Sequence, residues 1–375
     1  MLNSGRTLFH LSGEGQDIPA EHITLGECLR GAGYHTHGVG KWHNGPDSYA
    51  RSFSSGADIF FGGMWDHWNV PGNDFKEDGK YEKQIHFTPN FSASSDSIKV
   101  LAERITAGVH STDLFSGSAV DYIKNYDSDQ PFFMYLCTND ILVPRMPHER
   151  FRGKSPMGLR GEAILQFDET VRQVTDALRR LGLSDNTLLI ITSDNGPVLD
   201  DGYADEAIPL AGDHRPGGPF RGGKYSSFEA GSIVPFIVHW PGHVRGGRTS
   251  DALVSQIDNV ATLASLIGAE VPEGAAADSQ DALKTWLGKS KKSRPFAAKY
   301  AANHNIVLRT DRWKFIPPHD GGPMITWGPR IETGNAPVPQ LYDMRRAEDE
   351  QTNVAESNPK VVARMMDLLR QIQPK

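Results

Sequence analysis

A lysine and a histidine, Lys41 and His43, end a segment that predicts a β-strand, residues 34–42. Side chains alternate between the two faces of a strand, so these two project in the same direction. Ligands of α/β proteins bind at the carboxyl ends of the strands. An ammonium and an imidazole at that place could hold an anionic group and move a proton. The alternative is a polar strand end with a structural histidine.

A second polar pair, Asp194 and Asn195, directly follows a segment that predicts another buried strand, residues 187–192. Carboxylate and amide oxygens are the ligands that Ca²⁺ or Mg²⁺ prefers. Because the pair follows a strand, we expect it at the same carboxyl edge of the sheet. The alternative is an ordinary turn, since Asp, Asn and the following Gly196 favour turns without any ligand.

A third segment combines two glycines with a lysine, at Gly222, Gly223 and Lys224. Glycines let the backbone approach a ligand closely, and the lysine can then be presented to an anion. The alternative is a flexible loop with a solvated lysine. The segment is, however, part of a longer pattern that continues through Glu229 into a predicted strand at 233–240.

The elements that must position these side chains alternate between strands and helices. Apolar runs predict strands, and those at 131–137 and 233–240 are typical of buried strands in a parallel sheet. Capping signals and helical periodicity predict helices at 24–32, 111–126, 162–183 and 255–267. The alternation predicts an α/β fold with a mainly parallel central sheet sandwiched by helices.

The C-terminal part of the chain has a different pattern. Residues 306–316 predict a hairpin with its turn at 310–311, and Pro359 is typical of the first position of a last helix. We therefore expect a catalytic domain at 1–290. A smaller α+β unit of short antiparallel strands and a terminal helix is expected at 291–375.

Composition excludes several kinds of partner. The chain has 375 residues and a formal net charge of −7 with no long basic run, so we expect no nucleic-acid partner. Its apolar runs are far shorter than the roughly 20 residues that a membrane helix needs. Cys28 and Cys137 lie in apolar segments, which predicts buried free thiols rather than a disulfide or a zinc site.

In this order, the three segments resemble the sulfatase family of the alkaline-phosphatase superfamily. The matching residues are Gly33 to Thr36, Gly40 to His43, Ser193 to Gly196, Arg221 to Lys224, Val234-Pro235 with Trp240 to Gly242, and Gln340 to Asp343. The resemblance spans nearly the whole chain. Any single motif is weak, but the ordered set is specific, and it implies an alkaline-phosphatase-like fold.

The resemblance also implies an activity and roles. Sulfatases hydrolyse sulfate esters with a formylglycine nucleophile and a divalent cation, usually Ca²⁺. By this resemblance Asp194 and Asn195 are metal ligands, and Lys224 contacts the sulfate and the leaving oxygen. Lys41 stabilises the formylglycine, and His43 accepts its proton as sulfate leaves. The implied substrate is a sulfated small molecule or carbohydrate, and the implied location of the full-length form is periplasmic or extracellular.

The chain departs from the family pattern at its beginning. The family's nucleophile motif, Cys/Ser-x-Pro/Ala-x-Arg, precedes a helix whose ending resembles residues 2–6 here, and the motif occurs nowhere in this sequence. We therefore expect a chain that is incomplete at its N-terminus and lacks the nucleophile, two metal-binding Asp residues and the first strand. The loss of that strand should leave neighbouring strands unpaired and apolar surface exposed.

A second departure is Leu142, where the family usually has a histidine that binds the sulfate. A leucine cannot donate a hydrogen bond to sulfate, so we expect little or no turnover by this chain. Two alternative functions stay open. One is a catalytically inactive protein that binds an anion or a glycan, and the other is a phosphodiesterase or phosphonate hydrolase of the same superfamily.

Overall fold

The computed structural model describes residues 1–11, 17–63, 67, 68, 70, 72–75, 81–84, 110–201, 203, 205–326, 328–346 and 349–373. For residues 72–75 and 81–84 the description covers the backbone alone. Within these residues the chain forms three sheets with helices around them. No helix in the described part has the length and apolar character needed to cross a membrane.

The main sheet has five strands. They are β1 His35–Lys41, β2 Ser55–Phe60, β3 Gly72–Phe75, β4 Tyr81–Gln84 and β5 Phe132–Cys137, in the spatial order β4-β3-β2-β1-β5. The central strand β1 is parallel to both β2 and β5, whereas β3 and β4 add an antiparallel edge. The parallel arrangement brings the carboxyl ends of β1 and β5 to one edge, where Lys41 and Cys137 lie.

Helices cover both faces of this sheet. They are α1 Leu25–Gly31, α2 Pro46–Ser52, α3 Ser111–Asn125, α4 Gly158–Arg180, α5 Asn259–Ile267 and α6 Leu283–Trp286. Phe132 and Met134 of β5 pack against α3 and α4, while the intervening Phe133 packs against α1, α5 and α6. The alternation of side chains along β5 thus produces the predicted sandwich.

Helix α1 begins where its capping signal predicts. The Thr24 hydroxyl accepts from the backbone N–H of Glu27 at 3.1 Å, and the Glu27 carboxylate accepts from the N–H of Thr24 at 2.8 Å. This reciprocal pair satisfies two backbone donors that a helix start otherwise leaves open. Because α1 leads directly into β1, the cap also fixes the start of the strand that carries Lys41.

Strands β6 Leu189–Thr192 and β7 Phe236–His239 form a separate antiparallel pair. The prediction that the runs at 131–137 and 233–240 form fully buried strands is wrong. All six residues of β5 are only half-buried, and Ile237 of β7 is 52% exposed. In the described part, β5 pairs with β1 alone and β6 with β7 alone, so each keeps one open edge.

A four-stranded antiparallel sheet and a helix form the C-terminal unit. Its strands are β8 Ala297–Tyr300, β9 Ile306–Arg309, β10 Trp313–Ile316 and β11 Gln340–Asp343, followed by α7 Pro359–Ile372. The hairpin of β9 and β10 and the helix start at Pro359 confirm those predictions, whereas β8 was not anticipated. Leu308, Phe315 and Leu341 pack against Met365 and Leu369 of α7. The domain boundary at residue 290 stays a prediction.

Candidate active site

Trp42 anchors the end of β1 in the core. The Trp42 side chain is 1% exposed and packs in a core with Tyr49 and Phe53. Its indole N–H donates to the Gly45 carbonyl at 3.0 Å, and its backbone N–H donates to the Phe60 carbonyl. Because β1 ends at Lys41, the common direction of Lys41 and His43 stays a prediction.

Lys41 lies among charges from three separate segments. Burial lowers its pKa most, the nearby Asp194 and Cys137 raise it, and the positive charge of Lys224 lowers it again. Lys41, Asp194 and Lys224 are therefore close enough for their charges to interact. Burial followed by the charge of Lys41 also lowers the pKa of His43, so its imidazole is neutral at pH 7 and able to accept a proton.

Asp194 and Asn195 follow β6 directly, as predicted. The Asp194 side chain is exposed and that of Asn195 is half-buried. The Asn195 amide donates to the carbonyl of Gly196 at 2.9 Å, which orients its oxygen away from the backbone. Two backbone hydrogen bonds join this turn to the Lys224 loop: Gly196 N–H to Gly231 at 3.2 Å and Lys224 N–H to Pro197 at 2.8 Å.

The structure thus brings all five predicted site residues to one edge of the α/β unit. Lys41 and His43 come from the end of β1, Asp194 and Asn195 from the end of β6, and Lys224 from the loop before β7. Two cavities of about 120 and 130 Å³ lie elsewhere, lined by residues such as Asp278 and His239 respectively. None of the five residues lines either of these two cavities.

The metal expected from the resemblance is only partly accounted for by these residues. Asp194 and Asn195 offer hard oxygen ligands of the right kind. The described part of the chain holds no group of three or more His, Cys, Asp or Glu side chains able to bind a metal. Ca²⁺ takes about 6–8 oxygens, so the donors described here do not complete a shell, and no catalytic step is assigned to a metal.

Three further side chains near the site were not predicted from the sequence. Asp201 is 7% exposed with neither carboxylate oxygen hydrogen-bonded in the described part, and burial raises its pKa while Lys224 opposes the rise. His67 is 1% exposed, and burial, followed by the charges of His110 and Arg145, holds its pKa well below the ordinary value, while a hydrogen bond with the backbone of Leu142 opposes this. The third is Cys137, whose pKa is raised to about 11 by burial and by Asp194. Unpaired buried polar atoms are a signal that only coordinates provide.

The segment after β5 contains Leu142 and a buried arginine. Arg145 is fully buried, pairs with Asp205 at 2.5 Å and donates to the carbonyl of Leu199 at 3.0 Å. It also donates to the carbonyl of Ile141, at 3.1 Å. Arg145 thereby ties the loop after β5 to the loop after β6, next to the predicted site.

Comparison with known proteins identifies the relatives of this chain. The family model described as Sulfatase matches residues 2–269. An N-acetylgalactosamine-6-O-sulfatase of Bacteroides thetaiotaomicron is 44% identical over 261 residues, which cover 70% of this chain and 50% of that protein. An N-acetylgalactosamine-6-sulfatase of Mus musculus is 31% identical over 298 residues, covering 79% of this chain and 55% of the mouse protein. The chain thus spans about half the length of these relatives.

Solved structures confirm the fold. A sulfatase of Bacteroides thetaiotaomicron, described in connection with the metabolism of multiple glycosaminoglycans, superimposes with a TM-score of 0.84 and 31% identity. The match covers 100% of this chain and 88% of that one. A second structure, in complex with D-glucosamine-2-N,6-O-disulfate, shares the fold at a TM-score of 0.66 and 16% identity, covering 99% of this chain and 86% of that one. The alkaline-phosphatase-like α/β fold predicted from the sequence is confirmed, and the chain belongs to the sulfatase family.

Proposed function

We propose that this site serves the hydrolysis of the sulfate ester of N-acetylgalactosamine 6-sulfate or a closely related 6-O-sulfated sugar. The observation that carries this proposal is the convergence of Lys41 and Lys224, two cations from distant segments, beside the carboxylate of Asp194. Two neighbouring ammonium groups suit an anion that presents several oxygens. The sugar is proposed from the names of the relatives, which act on N-acetylgalactosamine 6-sulfate.

The charge states of the two lysines and the histidine suit them to different roles. Lys41 and Lys224 supply positive charge where sulfate oxygens become more negative during ester cleavage, the usual source of transition-state stabilisation. His43 has a pKa below its ordinary value and is neutral at pH 7. A neutral imidazole can accept a proton and return it, which makes His43 the proton carrier of the proposal.

Two parts of the family's chemistry lie beyond this set of residues. Asp194 and Asn195 are proposed as part of a Ca²⁺ or Mg²⁺ site. The sequence holds no Cys/Ser-x-Pro/Ala-x-Arg motif, so none of these residues is the nucleophile of the proposal. Within the proposed hydrolysis, the role of Lys41, His43 and Lys224 is to bind and orient the sulfate group and to carry the proton.

Binding of N-acetylgalactosamine 6-sulfate, measured by calorimetry, tests the proposal directly. We expect measurable affinity for the sulfated sugar and none for unsulfated N-acetylgalactosamine. Lys224→Met should weaken binding at least about tenfold, because a charge-assisted contact contributes about 1.5–3 kcal/mol. Lys291→Met, at an exposed lysine outside the site, serves as the matched control. Equal affinity of wild type and Lys224→Met would refute the assignment.

A second candidate function is binding without turnover. Leu142 favours it, because its side chain offers no donor to sulfate where the family usually has a histidine. The test is turnover of an aryl sulfate by the 375-residue chain, for which we expect no signal above the Lys224→Met background. Turnover that Lys224→Met abolishes would rule out the second candidate. A preference for phosphate esters over sulfate esters would instead favour the phosphodiesterase alternative.

A further inference from the structure

Tyr225, the residue after Lys224, has an unusual backbone conformation. Its φ is +76°, in the left-handed region that bulky L-residues rarely adopt. Such a conformation is unfavourable and persists only where the surrounding structure holds it. The ring of Tyr225 also lies beside its neighbour, with 5.2 Å between the Lys224 ammonium and the ring centroid. The left-handed residue and the cation of the proposed site therefore lie side by side in one turn.

The contacts that hold this turn come from the C-terminal unit. The Ala302 N–H donates to the carbonyl of Tyr225 at 2.9 Å. The Lys299 ammonium donates to the carbonyls of Ser226 and Phe228, the latter at 3.1 Å. Both donors belong to β8 or the turn after it. They bind three carbonyls within four residues of the loop.

A buried group of charges anchors the same loop a few residues later. Glu229 accepts from Lys314 of β10 at 3.0 Å and from Arg309 of β9 at 3.1 Å. Its backbone N–H donates to the Glu350 carboxylate at 2.7 Å. Lys314 is 1% exposed and Glu350 is fully buried. The end of the loop is thus attached to the C-terminal sheet by ion pairs that solvent does not screen.

We propose that Tyr225 and Lys299 are positioning residues for Lys224. The C-terminal unit, through Lys299 and the Ala302 N–H, holds Tyr225 in its left-handed conformation, and this conformation aims Lys224 at the sulfate group. The inference rests on the proposed function, because it assumes that Lys224 binds sulfate. It gives the C-terminal unit a part in ligand binding, although none of its residues need touch the ligand.

Three substitutions at Tyr225 separate the effect of its backbone conformation on binding from the effect of its ring. Tyr225→Phe keeps the ring, and Tyr225→Asn loses it but tolerates the left-handed conformation. Tyr225→Val removes the ring and strongly disfavours that conformation. In calorimetry with N-acetylgalactosamine 6-sulfate, we expect Tyr225→Phe to have an unchanged Kd and Tyr225→Asn to have a Kd within about fivefold of wild type. Tyr225→Val should bind the sugar about tenfold more weakly or worse.

Lys299→Met tests the hydrogen bonds from Lys299 to the loop, since it keeps the length of the side chain but removes the donor. We expect about tenfold weaker binding of the sulfated sugar, measured well below the thermal midpoint so that every variant is folded. The matched control for Tyr225→Val is Glu206→Val, at an exposed non-glycine residue with φ +57°. It places the same unfavourable side chain on a left-handed backbone outside the loop, and should lower the thermal midpoint without changing Kd.

The outcomes distinguish a failure of this inference from a failure of the proposed function on which it rests. If Lys224→Met abolishes binding while Tyr225→Val and Lys299→Met bind like wild type, the positioning inference is wrong and the sulfate site stands. If Tyr225→Asn loses as much affinity as Tyr225→Val, the ring and not the backbone positions Lys224. If Lys224→Met binds like wild type, both proposals fail. Should Tyr225→Val not fold, Lys299→Met and Tyr225→Ala give the same decision.

Discussion

The backbone N–H of Lys224 donates to the carbonyl of Pro197 at 2.8 Å. Together with the bond from the Gly196 N–H to Gly231, this hydrogen bond joins two segments that are far apart in sequence and that carry opposite charges of the proposed site. Pro197 follows Asp194 and Asn195 by two to three residues, and Lys224 carries one of the two site cations. The distance between the acidic and the basic part of the site is therefore set partly by main chain, and not by flexible side chains alone.

Gly223 is the residue that permits this approach. A Cβ added there would lie 2.7 Å from the Pro197 carbonyl oxygen and 3.1 Å from the Ile331 side chain. Gly223→Ala must therefore push the two segments apart. We expect calorimetry to show about tenfold weaker binding of N-acetylgalactosamine 6-sulfate, with a loss of stability of about 1–3 kcal/mol in urea unfolding.

Gly117→Ala is the matched control for that substitution. Gly117 lies inside helix α3, and a Cβ there would meet nothing within 4 Å. Alanine is a better helix former than glycine, so this variant should be more stable by about 0.5–1 kcal/mol with an unchanged Kd. Unchanged binding by Gly223→Ala would show that the close approach at Pro197 does not shape the site.

Local patterns in the sequence predicted most elements because each element carries its own signal. Thr24 with Glu27 marks the start of α1, and Pro359 marks the start of α7. Burial was harder to predict than strand formation. The apolar run of β5 predicts a strand, but whether both its edges are paired depends on which distant segments lie beside it. The half-burial of β5 and the separate pair of β6 and β7 therefore required coordinates.

The residues of the site likewise divide into those that the sequence predicts and those that required coordinates. Lys41, His43 and Lys224 could be found because each follows or precedes a strong strand signal with glycines nearby. Asp201 and His67 could not, because what distinguishes them is burial close to the charges of the site. That property depends on which residues surround them in space, and no local sequence pattern encodes it.

Calcium binding by this chain should be weak. Asp194 and Asn195 supply two side-chain donors, and the described part of the chain adds no cluster that would complete a shell. Because affinity for Ca²⁺ rises with the number and charge of the ligands, calorimetry should show no saturable binding at micromolar Ca²⁺. Asp194→Asn should then bind no differently from wild type. Tight one-to-one binding that Asp194→Asn abolishes would show that the shell is complete after all.

The cap of α1 should contribute measurably to stability. The Thr24 hydroxyl accepts from the Glu27 N–H and from the Ser52 hydroxyl, at 3.1 and 2.8 Å. Thr24→Ala removes the acceptor of both hydrogen bonds from a fully buried position. We expect a loss of about 1–2 kcal/mol in the free energy of unfolding. Thr24→Ser keeps the hydroxyl, so urea unfolding should place it nearer to wild type than to the alanine variant.

Glu350 should make stability depend on pH. Its pKa is raised from an ordinary 4.5 to about 7, because burial, together with the charge of Glu229, outweighs the lowering by Lys314, by the backbone hydrogen bond from Glu229 and by Lys299. Glu229 keeps a pKa below its ordinary value because Lys314 and Arg309 outweigh its burial. Of the two carboxylates that share these cations, Glu350 is therefore the one that takes up a proton.

The sign of the effect follows from proton uptake. Between pH 4.5 and about 7 the folded state holds a proton on Glu350 that the unfolded state has already released. The free energy of unfolding must then fall as pH rises through this window, by at most about 1.4 kcal/mol per pH unit, and level off above it.

Glu350→Gln, a mimic of the protonated form, should remove this part of the slope, so that its stability relative to wild type grows from pH 5 to pH 7 in urea unfolding. Glu356→Gln, at an exposed position, should leave the slope unchanged. A constant difference between wild type and Glu350→Gln across that range would mean that Glu350 is ionised in the folded protein throughout, with Lys314 and Lys299 compensating its burial.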